Sequence, residues 1–380
     1  MPIDQLWLSV FNQDVCIQTD STVYSEILQK TYSHFLIERP DIGRQVVFND
    51  FFNIDNTEGP CLIINGQKKH LHDPELLRSE YIHALILNSI YTNISSHYLH
   101  HAAALSHKEN GIILTADSGF GKTTLTLALV QKGFRFLSDE IAAIGRKDGM
   151  IYPFPRGLHI RKETLQLLDL PFQFEKASRW FGKYLVDIED IFPGMIGDPV
   201  KISQIFVLKN DSNSTPNSSY PREFRAVINH TNPVFLQQIK DNPDVIHVQE
   251  TLERGYPCLV VETVHRMKVI SFFENLCSQH AIMLLDLIKR EEEMPEFAPS
   301  VACHNINRSQ AALELLRRFL GGHKTALLDA ENHQESTTLL FDLASLIKDA
   351  DCYQLTVGPL TEMVDVITNI VCHGKKMIYT

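Results

Sequence analysis

The sequence of 380 residues is poor in three features that would assign it to a specialised class: paired cysteines, long apolar runs and excess positive charge. Its seven cysteines are scattered and form no C-x-x-C pair, which argues against a disulfide framework and a zinc site. No apolar run is long enough to cross a bilayer, and no basic stretch near Met1 precedes an apolar one. The formal net charge of −11 argues against nucleic acid as a partner, because phosphate binding requires a basic surface. We therefore expect a cytoplasmic protein whose partners include no nucleic acid and no membrane.

The most informative segment that is present is a phosphate-binding loop of the form A/G-x-x-x-x-G-K-S/T. Its residues, together with the threonine that follows, are Ala116, Asp117, Ser118, Gly119, Phe120, Gly121, Lys122, Thr123 and Thr124. An apolar stretch over 111–115 predicts a buried strand before the loop, and 123–132 predicts a helix that ends at Gly133. Strand, glycine-rich turn and helix form the context in which backbone N–H groups surround phosphate oxygens. We expect Lys122 to contact the β- and γ-phosphates of a nucleoside triphosphate, and the Thr123 hydroxyl to bind Mg²⁺.

Two adjacent carboxylates, Asp139 and Glu140, follow a predicted strand, and the first of them lies 16 residues beyond Thr123. At a strand end, one carboxylate can bind Mg²⁺ while its neighbour accepts a proton from an attacking hydroxyl. In an ordinary P-loop ATPase the second acidic motif comes much later in the chain. The alternative is a solvated acidic turn, since Asp and Glu are common at protein surfaces.

Two further side chains are candidates for the same cleft. His101 lies fifteen residues before Ala116, on a predicted strand that would pair with the strand before the loop. A structural role for this histidine stays open, whereas a metal cluster with His97 and His100 lacks a Cys or carboxylate ligand. Arg156 follows two prolines, which hold it in an extended segment where it can stabilise charge on a transferring phosphoryl group. A surface arginine beside a proline-rich turn is the alternative.

Alternating strands and helices predict an α/β fold. We expect a small β-rich region over 1–75, and a P-loop core over 76–380, strongest over 100–165, with an inserted or divergent helical segment at about 209–300. The local patterns predict hairpins at 6–17 and 141–152 and a strand followed by a turn at 61–66. They also predict helices at 74–99, 269–288, 308–320, 337–348 and 360–371, and strands at 100–105, 202–208, 258–261, 325–328 and 352–357. The polar stretch 210–219 predicts a loop, and 290–295 a charged linker.

The segment from His101 to Arg161 resembles the HPr kinase/phosphorylase superfamily, whose P-loop core is related to phosphoenolpyruvate carboxykinase. The resemblance lies in the order of a strand histidine, the loop from Ala116 to Thr123, and the acidic pair Asp139-Glu140. The segments 135–139 and 153–156 are similar to the shorter HPr-kinase-like proteins, some of which phosphorylate serine on small peptides. The resemblance implies a mixed α/β sheet of the HPr kinase C-terminal-domain type.

The resemblance also implies roles for individual residues. Asp139 would accept the proton of a substrate serine, Glu140 would hold Mg²⁺ with Thr123, and His101 would line the active site. Asp139 itself is a further candidate metal ligand beside Glu140. His159 stands where the phosphorylase-associated signature has glycine, which favours a kinase over a reversible kinase/phosphorylase. A homo-oligomer is possible, because HPr-type relatives are hexameric.

The leading functional hypothesis is an ATP- and Mg²⁺-dependent kinase that phosphorylates a hydroxyl group, with serine of a protein or peptide as the expected acceptor. One alternative is a kinase with a small-molecule hydroxyl acceptor, since the divergent 200–300 segment is large enough to enclose a metabolite. A second alternative is a nucleotide-binding sensor without turnover. The intact Lys122, Thr123 and acidic pair argue against the sensor, because transfer requires all of them and binding does not.

Overall fold

The computed structural model describes residues 4–19, 22–39, 48–52, 61–64, 67–70, 91, 94–116, 120–172, 179–180, 183–209, 222–253, 255–282, 284–289, 298–320 and 333–374. The predicted strand 325–328, most of the predicted helix 74–99, the loop 210–219 and the linker 290–295 lie outside these residues. Among the helices of the described segments, none combines the length and apolarity needed to cross a lipid bilayer.

The N-terminal region forms a four-stranded sheet with the order β3-β1-β2-β4. Its elements are β1 (Asp4–Val10), β2 (Gln13–Thr19), α1 (Thr22–Thr31), a 3-10 turn (Ser33–Phe35), β3 (Leu36–Ile37) and β4 (Phe48–Phe52). The connection between β1 and β2 places Phe11 and Asn12 at φ 49° and 64°, as a tight primed hairpin turn requires. Strand β5 (Cys61–Ile64) pairs antiparallel with β6 (Gln67–His70). The predicted hairpin at 6–17 and the predicted strand at 61–64 are confirmed, whereas the predicted turn at 65–66 lies outside the described residues.

A nine-stranded mixed sheet forms the centre of the molecule. Its strands are β7 (His97–His101), β8 (Ala103–His107), β9 (Asn110–Thr115), β10 (Arg135–Ser138), β11 (Ile141–Gly145), β12 (Met150–Tyr152), β16 (Val200–Lys209), β21 (Cys303–Asn305) and β22 (Asp351–Thr356). The order is β10-β8-β9-β16-β12-β11-β7, with β22 beside β16 and β21 beside β22. Strand β16 runs parallel to β9 and β22, and the other pairs are antiparallel. The predicted α/β class with a mixed sheet is confirmed.

Helices cover both faces of this sheet. The helices that flank it are α2 (Lys122–Gln131), α3 (Lys162–Leu167), α4 (Ile188–Ile191), α7 (Arg308–Leu316), α8 (His333–Leu346) and α9 (Leu360–His373). Ile112 and Leu114 of β9 pack in one core with α2 and α9, whereas Ile113 faces α7 and α8 in another. This alternation follows from the two-residue period of a strand, and it fixes α2 and the loop before it against the sheet.

A smaller sheet connects the Arg156 segment to α4. It consists of β13 (Leu158–Ile160), β14 (Arg179–Trp180) and β15 (Lys183–Val186), in the order β13-β15-β14. The N-terminal sheet packs in one core with β7, β11 and the buried Phe154. The segment with Arg156 is therefore enclosed between the N-terminal sheet and the central sheet.

The segment expected as a helical insertion contains helices, but they lie on a sheet of which the sequence analysis predicted only the strand 258–261. Four antiparallel strands have the order β18-β19-β17-β20, and their bounds are β17 (Arg222–Ile228), β18 (Val245–Glu253), β19 (Tyr256–Thr263) and β20 (Leu284–Lys289). Helices α5 (Pro233–Lys240) and α6 (Arg266–Gln279) share its core. The predicted helix 269–288 ends at Gln279, because Ala281 adopts φ 52° and Ile282 N–H bonds back to the Cys277 carbonyl at 2.8 Å.

Three predicted boundaries near the site are wrong. Residues 97–99 belong to β7 rather than to a helix, and the predicted strand 100–105 is divided at Ala102. At Ala102 the chain changes partner, from β11 on one side to β9 and β10 on the other. The helix predicted over 308–320 ends at Leu316, since the next residues hydrogen-bond to β7, with Leu320 N–H on the Leu99 carbonyl at 2.8 Å. The division of the chain into domains stays a prediction.

Candidate functional site

The phosphate-loop sequence lies where the motif predicts, between the end of β9 and the first residue of α2. Gly121 precedes the helix at φ 72°, a left-handed conformation that glycine adopts without steric cost. Phe120 packs against the core around α2, whereas Asp117, Ser118 and Gly119 lie outside the described residues. The first N–H groups of α2 have no partner within the helix, so this end of α2 suits an anion.

Lys122 begins α2 and is 8% exposed. Its Nζ donates a hydrogen bond of 3.1 Å to the carbonyl oxygen of Ala116, the last residue before the undescribed part of the loop. The lysine side chain therefore reaches back from the first turn of α2 to the residue that follows β9.

The acidic pair follows β10 and meets the loop. Asp139 is 5% exposed, and its Oδ2 accepts a 3.2 Å hydrogen bond from Thr123 Oγ1. Ser138 Oγ accepts a hydrogen bond from Ile141 N–H at 2.9 Å, which stabilises the bend that contains both carboxylates. Burial raises the pKa of Asp139, although the charges of Arg156 and Lys122 and the Thr123 hydrogen bond act in the opposite direction. Asp139 is thus a buried carboxylate with a raised proton affinity at the phosphate loop, which rules out a solvated acidic turn.

Glu140, the second carboxylate, points to a different partner. Its Oε2 forms an ion pair with Arg156 Nη2. The structure brings Thr123 to Asp139 rather than to Glu140, so the Mg²⁺ role of Glu140 stays a prediction. Its ion pair links the acidic turn to the proline-rich segment.

Arg156 is 6% exposed, so the alternative of a surface arginine does not hold. Its Nη1 donates to the Tyr91 hydroxyl at 3.3 Å, and burial raises the pKa of that tyrosine. The backbone around it is fixed from two sides. Phe154 N–H donates to the Leu137 carbonyl at 2.8 Å, and Gly157 N–H donates to the Thr31 carbonyl at 2.7 Å. Arg156 is therefore held between β10 and the end of α1.

His101 lies on β7 directly opposite Ile141, two positions beyond Asp139. It is half-buried, and its N–H donates to the Arg318 carbonyl at 2.7 Å. Its strand does not pair with β9 as predicted, but β11 brings it to the acidic turn. The neighbouring His100 is fully buried, Nδ1 lies 2.9 Å from the Leu315 carbonyl oxygen, and burial lowers its pKa to about 4.

The histidines near β7 do not form a metal cluster. The His97 ring stacks on Phe11 with a centroid distance of 3.8 Å, away from the buried His100. Across the segments that the structure describes, no three His, Cys, Asp or Glu side chains are grouped to hold a metal ion. Thr124, a predicted nucleotide contact, has its hydroxyl 3.0 Å from that of Thr164 in α3.

Sequence reasoning missed two residues at the site. Tyr91 contacts Arg156, and Arg318 donates from Nε to the Ala116 carbonyl at 3.2 Å, although 202 positions separate them. Tyr91 carries no local signal. Arg318 carried a local sequence signal, because two arginines interrupt the apolar run between Leu315 and Leu320. A charged residue within such a run is often paired in the protein interior.

No family model matches the chain. The chain is 26% identical over 182 residues to an HPr kinase/phosphorylase of Chlorobium limicola, which covers 44% of this chain and 53% of the relative. It is 28% identical over 137 residues to an HPr kinase/phosphorylase of Chlorobium phaeobacteroides, covering 32% and 39% respectively.

The chain therefore spans about half the length, or less, of the curated relatives it matches. Among solved structures, an HPr(Ser) kinase/phosphatase from Coxiella burnetii matches 48% of this chain and 95% of that chain, with 14% identity and a TM-score of 0.22. The curated relatives support an HPr kinase-like family for this chain, at modest sequence identity.

Proposed function

We propose that this chain is an ATP-dependent kinase that transfers the γ-phosphoryl group to a hydroxyl, with serine of a protein or peptide as the acceptor. The observation that carries the proposal is the 3.2 Å hydrogen bond between Thr123 Oγ1 and Asp139 Oδ2. It places a buried carboxylate at the first turn of the helix that follows the phosphate loop. Binding alone does not require a carboxylate there, whereas transfer to a hydroxyl requires a base and a metal ligand beside the phosphates.

The described residues fit Mg²⁺. Two adjacent oxygen ligands of an octahedral Mg²⁺, each at about 2.0–2.1 Å from the ion, lie about 2.9 Å from each other. The Thr123 and Asp139 oxygens are 3.2 Å apart, so both can enter one coordination sphere after a small shift. Mg²⁺ commonly takes one or two carboxylates together with phosphate oxygens and water. When bound, it would neutralise charge on the β- and γ-phosphates.

Lys122 and Arg156 supply the positive charge that the site requires. Lys122 Nζ, now on the Ala116 carbonyl, would move onto the β- and γ-phosphates of ATP. Arg156 is held beside the acidic turn by Glu140 and Tyr91, where its guanidinium would stabilise charge on the transferring group. Its rigid support keeps that charge in place without reorganisation during the reaction.

Asp139 is the proposed general base that accepts the proton of the acceptor hydroxyl. As the acceptor oxygen forms its bond to the γ-phosphorus, the bond from that phosphorus to the ADP oxygen breaks and Asp139 takes the hydroxyl proton. Because burial raises the pKa of Asp139, its carboxylate is a better proton acceptor than an exposed one. His101, opposite Ile141, would line the acceptor side of this turn.

A protein or peptide acceptor is proposed because both curated relatives are named as HPr kinase/phosphorylases. The decisive experiment combines purified chain, γ-labelled ATP, Mg²⁺ and a lysate of the source organism, resolved for proteins and for metabolites. Label on a polypeptide would support the proposed acceptor class. Label on a soluble metabolite would replace it with a small-molecule acceptor.

Substitutions in the candidate site test whether this site produces the labelled product. We expect Lys122→Ala and Asp139→Asn each to lower turnover by at least about 100-fold, a typical loss for a general base or a phosphate-binding charge. Measured without Mg²⁺, ATP affinity should stay largely intact in Asp139→Asn, since amide and carboxylate have the same shape. Asp349→Asn, which changes an exposed carboxylate, is the control and should have no effect. Transfer by Asp139→Asn near the normal rate would contradict the base assignment, and ATP binding without any transfer would favour a sensor.

A further inference from the structure

Arg318 is fixed at the edge of the central sheet by its backbone. The chain leaves α7 after Leu316, and the following residues pair with β7. The Arg318 carbonyl accepts the N–H of His101 at 2.7 Å, and Phe319 forms a bridge to His100. The backbone of Arg318 is therefore held beside β7, the strand that leads into the candidate site, and this fixes the position of its Cα.

The guanidinium of Arg318 is buried, with only 9% of the residue exposed, and it has a matched carboxylate. Nη1 donates to the Glu314 backbone carbonyl at 3.1 Å and to the Glu314 carboxylate. Burial opposes ionisation of Glu314, but hydrogen bonds from Lys209 and Arg318 hold its pKa below the usual value. The Arg318 charge is thus compensated from the α7 side, and its position does not depend on a bound phosphate.

The Nε of Arg318 reaches the phosphate loop. It donates to the Ala116 carbonyl at 3.2 Å, and the same oxygen accepts Lys122 Nζ at 3.1 Å. A carbonyl oxygen has two lone pairs, so the two donors share one acceptor. Ala116 is 1% exposed, and a buried carbonyl that loses its donor is costly. If Lys122 were its sole support, moving that amine onto a phosphate would carry this cost.

We propose that Arg318 is a positioning residue of the phosphate site, which retains the Ala116 carbonyl so that Lys122 is released to the β- and γ-phosphates of a nucleoside triphosphate. This inference rests on the proposed function only in requiring that the chain binds such a nucleotide. Arg318 acts through Lys122 and touches the loop backbone, not the reacting atoms. Lysine at this position would keep the charge beside Glu314, but its single ammonium lacks the fork that spans two acceptors.

The test is a double-mutant cycle read by calorimetric ATP binding. We expect Arg318→Met and Arg318→Lys to weaken ATP binding about tenfold, which corresponds to about 1.4 kcal/mol. In a Lys122→Met background the same changes should weaken binding less than about twofold, because no amine remains to be released. Arg317→Met is the matched control, since Arg317 also contacts Glu314, at 3.1 Å, but is 69% exposed. It should leave ATP affinity unchanged.

Equal losses in both backgrounds would overturn the inference, because they would mean that Arg318 merely supports the loop. An unchanged affinity in the Arg318 variants would overturn it as well. Both results leave the proposed kinase standing, since ATP still binds the unmodified chain. Absence of ATP binding by the unmodified chain would instead overturn both proposals. If Arg318→Met does not fold, Arg318→Lys retains the buried charge and makes the same comparison.

Discussion

The ion pair between Arg156 and Glu140 supports a specific prediction about stability. Arg156 is 6% exposed and Glu140 35% exposed, so the pair is neither fully buried nor at the surface. Removing one partner of a buried pair costs about 3–5 kcal/mol, whereas an exposed pair contributes about 0–1 kcal/mol. Because water screens the Glu140 end, and because Arg156→Met also removes the hydrogen bond to Tyr91, we expect that change to lower the free energy of unfolding by about 2–3 kcal/mol.

Urea unfolding of four chains tests this value: unmodified, Arg156→Met, Glu140→Gln and the double variant. Because both single changes remove the same ion pair, the double variant should lose less than their sum, with a coupling free energy of about 1–2 kcal/mol. Arg225 and Glu253 form a comparison pair at 3.0 Å, exposed by 36% and 31%. Arg225→Met should cost less than about 1 kcal/mol. A coupling below about 0.5 kcal/mol, or equal costs for Arg156→Met and Arg225→Met, would refute the reasoning.

Two further predictions concern the surroundings of the site. Burial lowers the pKa of His100 from 6.5 to about 4, so this histidine takes up its proton at a higher pH in the unfolded chain than in the folded one. The free energy of unfolding therefore falls as the pH drops from 6.5 to 4, by roughly 3 kcal/mol. His100→Gln should remove that part of the acid sensitivity in urea unfolding at pH 7 and pH 4.5, and identical pH dependence in both chains would contradict it. Gly157→Ala should lower stability by about 1–3 kcal/mol, because a Cβ there would lie 2.9 Å from Leu185 and 3.0 Å from the backbone of Thr31. An unchanged melting temperature would show that this contact relaxes freely.

The phosphate loop and its flanking elements could be predicted because their information is local. The strand before the loop, the α2 helix and the acidic turn after β10 involve consecutive residues, and the periods of a strand and a helix are visible in such stretches. The hairpin between β11 and β12 was predicted for the same reason, since a turn between two apolar runs suffices. The predicted strand 100–105 and the predicted helix 308–320 were too long, because the chain changes its hydrogen-bonding partner at Ala102 and after Leu316. A local pattern does not specify that partner.

The sequence by itself determined that this chain has a nucleotide-type phosphate loop followed at short distance by two carboxylates. Only the tertiary structure decided how these parts meet: Thr123 contacts Asp139, Glu140 pairs with Arg156, and Arg318 reaches the loop from 202 positions away. Those contacts follow from strand order and from the packing of helices on the sheet. Such long-range pairings are set by which apolar faces are buried together, so a window of neighbouring residues does not contain them.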